Sequence, residues 1–311
     1  MPAPANVPPA TSGNPEQVLR RLDLTISRRL DGLLHGQYLG LVPGHGSELG
    51  ETRGYQPGDD VRRIDWNVTA RFQTPYVRET IADRELEAWV VVDLSPSLDF
   101  GTAFCEKRDL AVSAAAAAGF LTARTGNRIG AVLATPDGLV TIPARSGKNH
   151  LMALLHRLVT APRPEHGTTD LSGALRRLAV TTRRRGLVFV VSDFIGDDTW
   201  HKPLGQLAHR HEVVCAEVLD PRELDLPSVG VLQLVDPRSG DIMEVQTANP
   251  RLRERYAQAA AAQRAAIADG IRGAGADHLQ LRTDRDWLLD LVRFVAGRRD
   301  RAWGRAGQNG R

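Results

Sequence analysis

The apolar positions divide the chain into an N-terminal helix, a charged segment and a long stretch in which strands and helices alternate. Residues 15–36 place apolar side chains at helical spacing, whereas residues 37–87 are rich in turns and charges. From residue 88 onward, short β-branched runs alternate with helical patterns. This alternation predicts an α/β fold in which a mostly parallel, Rossmann-like sheet is covered by helices on both faces.

The expected elements of this last stretch follow from the same patterns. The predicted strands are 89–93, 127–134, 139–143, 187–192, 212–219 and 277–282, and the predicted helices are 105–125, 148–160, 170–184, 201–210, 250–273 and 284–297. Residues 230–246 form a predicted hairpin that turns at 236–240.

Oxygen-bearing side chains follow two of the predicted strands. Asp93, Ser95 and Ser97 come directly after one strand, and Asp193 follows another. Thr169 lies in a loop that enters a predicted helix. Open α/β sheets bind ligands beyond the carboxyl ends of their strands, so this is a candidate site. Its hard oxygen donors suit Mg²⁺, Mn²⁺ or Ca²⁺ better than zinc. The alternative interpretation is that the serines only cap the next helix and that Asp193 only ends a strand.

In their order and context, these five residues resemble the metal-ion-dependent adhesion site of the von Willebrand factor A-like domain. The resemblance implies that the two serines and the threonine hold one divalent cation, Mg²⁺ or alternatively Mn²⁺ or Ca²⁺, directly or through water. It also implies that the two aspartates hold the cation mainly through its waters. One coordination position would remain open for an acidic group of a partner.

The segment ahead of the predicted sheet carries a more specific resemblance. Residues 44–85 contain Gly-Ser-Glu-Leu, then Arg-Gly-Tyr-Gln-Pro-Gly-Asp-Asp-Val-Arg-Arg-Ile-Asp-Trp, and later Val-Arg-Glu. This pattern closely resembles the signature of the bacterial domain-of-unknown-function family fifty-eight. In that family the signature precedes a von Willebrand A-like domain. The signature residues here are Arg53, Tyr55, Pro57, Gly58, Asp59, Asp60, Arg62, Asp65, Trp66, Arg71, Arg78 and Glu79.

What this family resemblance implies is an interaction role. Family members are regarded as partners of MoxR-type AAA+ ATPases in chaperone-like assembly or maturation of client proteins, with no established enzymatic reaction. One departure from the family pattern affects the site, because Gly167-Thr168-Thr169 replaces the usual Gly-Gly-Thr. Either Thr168 or Thr169 can therefore be the ligand, and the spacing to the following Asp170 favours Thr169.

Composition changes this picture little. The chain has 311 residues, of which 42% are hydrophobic and 25% charged, and its formal net charge is +3. These values are typical of a soluble globular protein. The sequence shows neither an apolar run long enough for a membrane span nor a signal peptide. We therefore expect a cytoplasmic protein without membrane insertion, and we expect Cys105 and Cys215 to be free thiols.

Two functions other than an interaction module are compatible with parts of the sequence. A hydrolase could use His45 and Ser47, or a metal held by Asp93 and Asp193, but no nucleophile elbow is present and two carboxylates are few for a two-metal site. Nucleic-acid binding could use the arginine-rich segment 53–78, but acidic residues nearly balance its charge. We therefore expect neither an enzyme nor a nucleic-acid partner.

The patterns also suggest four segments along the chain. Residues 1–14 are expected to be disordered, 15–87 to form a helix and the signature module, 88–298 to form the von Willebrand A-like domain, and 299–311 to be a flexible basic tail. The signature module is expected to contain strands, and Trp66 is expected to pack against its charged residues.

Overall fold

The computed structural model of the chain describes residues 14–33, 52–55, 64–72, 74–78, 87–124 and 126–308. The chain divides into two compact units, Pro43–Glu85 and the remainder. Several positions singled out above lie outside the described residues. They are residues 1–13, His45, Ser47, Pro57, Gly58, Asp59, Asp60, Arg62 and Glu79.

The larger unit follows the predicted order of elements closely. Its helices are α1 (Pro15–Leu33), α3 (Lys107–Arg124), α4 (Lys148–Val159), α5 (Leu171–Thr181), α6 (His201–Arg210), α7 (Pro250–Gly273) and α8 (Trp287–Gln308). Its strands are β3 (Glu87–Asp93), β4 (Arg128–Thr135), β5 (Gly138–Arg145), β6 (Gly186–Ser192), β7 (Glu212–Leu219), β8 (Val231–Val235), β9 (Ile242–Gln246) and β10 (Asp277–Arg282). The smaller unit contains β1 (Thr52–Gly54), α2 (Trp66–Phe72) and β2 (Tyr76–Arg78).

A six-stranded sheet forms the centre of the larger unit. Its strand order is β10-β7-β6-β3-β4-β5, and every neighbouring pair is parallel except β4 and β5. The antiparallel pair is the hairpin predicted at the turn Pro136-Asp137-Gly138. The α/β fold class predicted from the sequence is confirmed, including its mostly parallel sheet.

Helices cover both faces of this sheet because the strands are apolar on both sides. Along β3, Ala88, Val90 and Val92 pack into one core, and Trp89 and Val91 into the other. The first core is closed by α1, α3, α4 and α8, and the second by α5, α6 and α7. Buried runs of this kind are expected of parallel strands enclosed between two helical layers.

The two ends of the larger unit differ from the predicted segmentation. Leu22, Ile26 and Leu30 of α1 are buried in the same core as the sheet, so this helix belongs to the larger unit. At the other end, α8 continues to Gln308, although a flexible tail was expected from residue 299. Within the described residues, none of the helices combines the length and apolarity that a membrane span requires.

The smaller unit contains strands, as expected. Its two strands pair antiparallel, with Thr52 opposite Arg78. The Asp65 carboxylate accepts hydrogen bonds from the Asn67 and Val68 amides at 3.0 and 3.3 Å, which caps the start of α2. Trp66 is 70% exposed. Most of the charged residues against which it is expected to pack lie outside the described residues, so that expectation stays a prediction.

Candidate functional site

The candidate site lies where the chain leaves two neighbouring strands in opposite directions. Asp93 ends β3 and Asp193 directly follows β6, and these two strands are paired in parallel. From β3 the chain continues to β4 on one side, and from β6 it continues to β7 on the other. Such a switch point opens a crevice at the carboxyl edge, where α/β sheets bind ligands.

The Asp93 carboxylate is buried and surrounded by neutral donors. Its Oδ1 accepts hydrogen bonds from the Thr169 hydroxyl at 2.7 Å and from the Ser95 backbone amide at 3.0 Å. Its Oδ2 accepts one from the Ser192 hydroxyl at 2.7 Å. Among the described residues, no ion pair reaches Asp93. The described residues therefore offer this buried carboxylate hydrogen-bond donors but no cation.

The two serines continue the cluster toward Asp193. The hydroxyls of Ser95 and Ser97 lie 2.8 Å apart, and Ser97 donates to Asp193 Oδ2 at 2.7 Å. Ser95 precedes a short 3₁₀-helix, Pro96–Leu98, but its side chain makes no capping bond. The Ser95 hydroxyl thus faces the site, which argues against a mere capping role.

The loop before α5 brings in the threonine. Asp170 is the N-cap of this helix, where its side chain accepts from the Gly173 amide at 2.6 Å. The preceding Thr169 then directs its hydroxyl to Asp93, whereas Thr168 is exposed. All five predicted residues therefore meet in one hydrogen-bonded cluster, and of the two threonines Thr169 is the one that contacts it.

A buried lysine that the sequence analysis missed also belongs to this cluster. The Lys107 ammonium lies 2.9 Å from Asp193 Oδ2 and 2.5 Å from Glu223 Oε1, and the side chain is fully buried. Glu223 is held in place because its other oxygen accepts from the Asp220 amide at 3.0 Å. The available signal was that α3 is apolar on every side, so a lysine in its first turn had no exposed face to occupy.

These contacts shift the pKa values of Asp93 and Asp193 in opposite directions. Burial raises the pKa of Asp93, and the neighbouring Asp193 carboxylate raises it further. Burial alone would also raise the pKa of Asp193, but the Lys107 ammonium and the Ser97 hydroxyl bring it below its ordinary value. Asp193 therefore has a resident counter-ion, and Asp93 does not.

Another buried carboxylate, that of Glu217, lies on the adjacent strand β7. Glu217 accepts from Arg264 at 2.9 Å, from His278 at 2.8 Å and from Gln280 at 3.2 Å. Arg264 also donates to the backbone carbonyl of Asp193 at 3.2 Å, which ties α7 to the candidate site. Sequence reasoning missed this network too, because its members lie up to 63 residues apart.

A cavity of about 410 Å³ opens beside the cluster. Asp93 and Thr169 lie on its wall together with the apolar side chains of Leu139, Phe194 and Trp200. This volume lies within the range of ligand-binding clefts, about 300–1,000 Å³.

The donor set fits a hard divalent cation. Within the described ranges, no group of three or more histidine, cysteine or carboxylate side chains is suited to a metal. A cation at this edge would therefore take mainly hydroxyl oxygens, from Ser95, Ser97 and Thr169, with the Asp93 carboxylate. Oxygen ligands of this kind suit Mg²⁺, Mn²⁺ or Ca²⁺ and not zinc. The Asp93 carboxylate, which has no counter-ion among the described residues, would hold such a cation in its ionised form.

The fold and the site together define an α/β domain with a polar cluster at its topological switch point. A family model described as "Protein of unknown function DUF58" matches residues 51–266. The chain belongs to the DUF58 family, which confirms the family resemblance seen in the sequence. The uncharacterized protein Rv1480 of Mycobacterium tuberculosis is 55% identical over 282 residues, which cover 90% of this chain and 89% of that relative.

Solved structures similar to the chain are distant in sequence. The conserved hypothetical protein BatB from Bacteroides thetaiotaomicron has a TM-score of 0.44 and 13% identity, and the match covers 68% of this chain and 98% of BatB. The VWA domain of SpRpn10 has a TM-score of 0.37 and 11% identity, with 67% of this chain and 93% of that domain covered.

Proposed function

We propose that this protein is a non-enzymatic interaction module that binds one divalent cation. The cation would lie at the carboxyl edge of the sheet beside Asp93, Ser95, Ser97, Thr169 and Asp193, here called the Asp93 edge, and would bind a carboxylate of a partner protein. The observation that supports this most strongly is the convergence of Asp93, Ser95, Ser97, Thr169 and Asp193 in one cluster. These residues come from three separate segments of the chain, yet a continuous set of short hydrogen bonds connects them around the two aspartates.

In this proposal each side chain has a defined task. Ser95, Ser97 and Thr169 offer neutral oxygens, and Asp93 offers a carboxylate that has no counter-ion among the described residues. Asp193 is held by Lys107, so that it orients the Ser97 hydroxyl and receives the waters of the cation. When bound, the cation would supply a strong electrostatic attraction for an acidic ligand.

The charge balance explains why such a site favours binding over chemistry. Hydroxyl oxygens cancel little of the charge of a divalent ion, and the Lys107 ammonium offsets the Asp193 carboxylate. The site therefore remains electrophilic toward a partner's Asp or Glu side chain, which the neighbouring cavity has room to receive. The Ser97 hydroxyl donates to Asp193, but the lowered pKa of that carboxylate makes it a weak base for activating the serine.

The family resemblance suggests the partner. We propose a MoxR-type AAA+ ATPase or its client protein, with this chain acting in the cytoplasm as an adaptor or co-chaperone. Affinity for Mg²⁺ should be weak in the isolated chain, because the protein replaces only part of the ion's hydration shell. Submicromolar binding of Mg²⁺ to the isolated chain in calorimetry would contradict this site.

The decisive test removes two of the proposed ligands without touching the core. Ser95→Ala combined with Ser97→Ala should abolish Mg²⁺-dependent binding to the purified MoxR-type ATPase, measured by surface plasmon resonance, while circular dichroism remains unchanged. EDTA should have the same effect on the unaltered protein.

A matched control keeps the number of lost hydroxyls equal. Ser113 and Thr181 donate to helical carbonyls at 2.7 and 2.8 Å, away from either aspartate. Ser113→Ala with Thr181→Ala should leave the interaction intact. If the Ser95/Ser97 variant still binds, or if EDTA makes no difference, the metal-bridge mechanism is wrong.

A further inference from the structure

The hairpin formed by β8 and β9 concentrates exposed apolar side chains. Val231, Val235, Ile242 and Met243 are each at least 60% exposed. The two strands form a sheet of their own, and among the described residues no third strand pairs with either of them. An uncharged apolar edge of this kind is a template for pairing with another strand.

Strand β8 also reads the same in both directions. Its sequence is Val-Leu-Gln-Leu-Val, with Gln233 at the centre. Two copies of such a strand can pair antiparallel about a twofold axis through Gln233. Val231 then faces Val235 of the second copy, and Leu232 faces Leu234 of the second copy. A twofold interface of this type requires a self-complementary surface, which this strand provides.

The backbone hydrogen bonds agree with this register. Asp236 donates to Asp241 at 2.8 Å, and Thr247 donates to Gly230 at 2.7 Å, so even-numbered residues of β8 bond to β9. Since bonding alternates along an antiparallel strand, Val231, Gln233 and Val235 direct their N–H and C=O groups to the open edge. In the twofold arrangement these same three residues face one another as hydrogen-bonded pairs.

Charge favours β8 over β9 as the pairing edge. Strand β8 carries no charge, whereas β9 carries Glu244 at its centre. Pairing of β9 with itself about that residue would place two Glu244 carboxylates opposite each other, which destabilises a sheet. Pairing of β8 brings the first charged residue beyond the strand, Asp236, opposite Gly230 of the second copy.

We propose that β8 pairs with β8 of a second copy of this chain, joining two hairpins into a four-stranded antiparallel sheet. Five residues per strand bury less than the roughly 1,200 Å² of a standard interface, so the dimer is weak and depends on concentration. The inference does not depend on a metal at the Asp93 edge.

The dimer would link two candidate sites. The hairpin turn is attached to the loops of that site, since the Gly167 amide donates to Pro237 at 3.1 Å and Arg238 donates to the Ile195 carbonyl at 3.0 Å. Each dimer would therefore present two Asp93 edges to one partner assembly, which increases avidity without new contacts.

Sedimentation of the full chain tests the dimer. From about 10 μM to 1 mM, the unaltered protein should shift from monomer to dimer. Gln233→Lys places like charges at the twofold axis, whereas inside its own hairpin the lysine lies opposite Glu244, so it should weaken the dimer at least about tenfold without repulsion within the monomer. Gln246→Lys, on the same face of the outer strand, should leave the monomer–dimer equilibrium unchanged. A monomer throughout this range, or equal effects of the two variants, would overturn the proposal.

Cysteine cross-linking tests the register. Under a mild oxidant, Gln233→Cys should give a disulfide-linked dimer, because this position faces itself across the axis. Val231→Cys alone should give no disulfide-linked dimer, because Val231 faces Val235 of the second copy. A mixture of Val231→Cys and Val235→Cys should give one. The unaltered chain, in which Cys215 is buried and Cys105 is half-buried, is the background control. Cross-linking of Val231→Cys with itself as efficiently as Gln233→Cys would show that the proposed pairing is wrong.

Discussion

Glu217 and Asp93 are buried carboxylates on strands of the same sheet, and they differ in what surrounds them. Glu217 is bonded by the Arg264 guanidinium, the His278 ring and the Gln280 amide. Within the part of the chain that the structure describes, Asp93 is bonded only by hydroxyls and one backbone amide. A buried carboxylate that has its own cation is a structural ion pair, whereas one with neutral donors can still accept a cation from solution.

Asp193 is intermediate between these two cases. It lies in the candidate site beside Ser97, yet it has the Lys107 ammonium as a resident partner at 2.9 Å. The Asp193 carboxylate is thus neutralised by Lys107, whereas the described residues supply no cation to the Asp93 carboxylate. This difference can be measured by removing each charge in turn.

The largest effect is expected for Lys107→Met. The ammonium lies 2.9 Å from the buried Asp193 and 2.5 Å from the half-buried Glu223, so its removal should lower the free energy of unfolding by about 3–5 kcal/mol. Urea unfolding in EDTA measures this loss. Added Mg²⁺ should restore part of the lost stability, because the ion would then neutralise the Asp193 carboxylate as well as that of Asp93.

An exposed lysine provides the control for that experiment. Lys148 pairs with Asp23 at 2.6 Å, but its side chain is 68% exposed. Lys148→Met should therefore cost less than about 1 kcal/mol and show no gain with Mg²⁺. Equal losses for the two methionine variants would mean that Lys107 does not compensate a buried charge.

Glu217→Gln should have the next largest effect. It keeps the shape but leaves the Arg264 guanidinium buried without a carboxylate, so the free energy of unfolding should fall by about 2–3 kcal/mol. Mg²⁺ should not reverse the loss, because the uncompensated group is now a cation. Glu244→Gln, on the exposed strand β9, is the matched control. If Mg²⁺ restored the stability of Glu217→Gln, the proposed difference between Glu217 and Asp93 would be wrong.

The smallest effect on stability is expected for Asp93→Asn. In EDTA the free energy of unfolding should change by no more than about 1 kcal/mol, because the amide retains an accepting oxygen and the buried charge is removed. The stabilisation by Mg²⁺, measured as a shift in Tm, should disappear. Asp170→Asn keeps the helix cap and should retain that shift. A large loss in EDTA would show that Asp93 stabilises the protein without a metal.

Most of the fold could be predicted from the sequence because its signals are local. The β-branched run before Asp93 and the apolar periodicity of α5 each depend on residues a few positions apart, and the observed bounds differ from the predicted ones by a few residues. The place of α1 in the fold could not be predicted in the same way. Residues of α1 have helical spacing, but nothing in that spacing tells which core will bury them.

The sequence by itself determined the α/β class, the membership of the family and the five oxygen-bearing residues, because each depends on short patterns read along the chain. Only the tertiary structure decided that Thr169 contacts Asp93, that Lys107 compensates Asp193 and that Arg264 compensates Glu217. These partners are 47 to 86 residues apart and meet only because the strand order brings their elements to one edge. Charge compensation between buried groups is a property of that spatial arrangement and leaves no periodic signal in the chain.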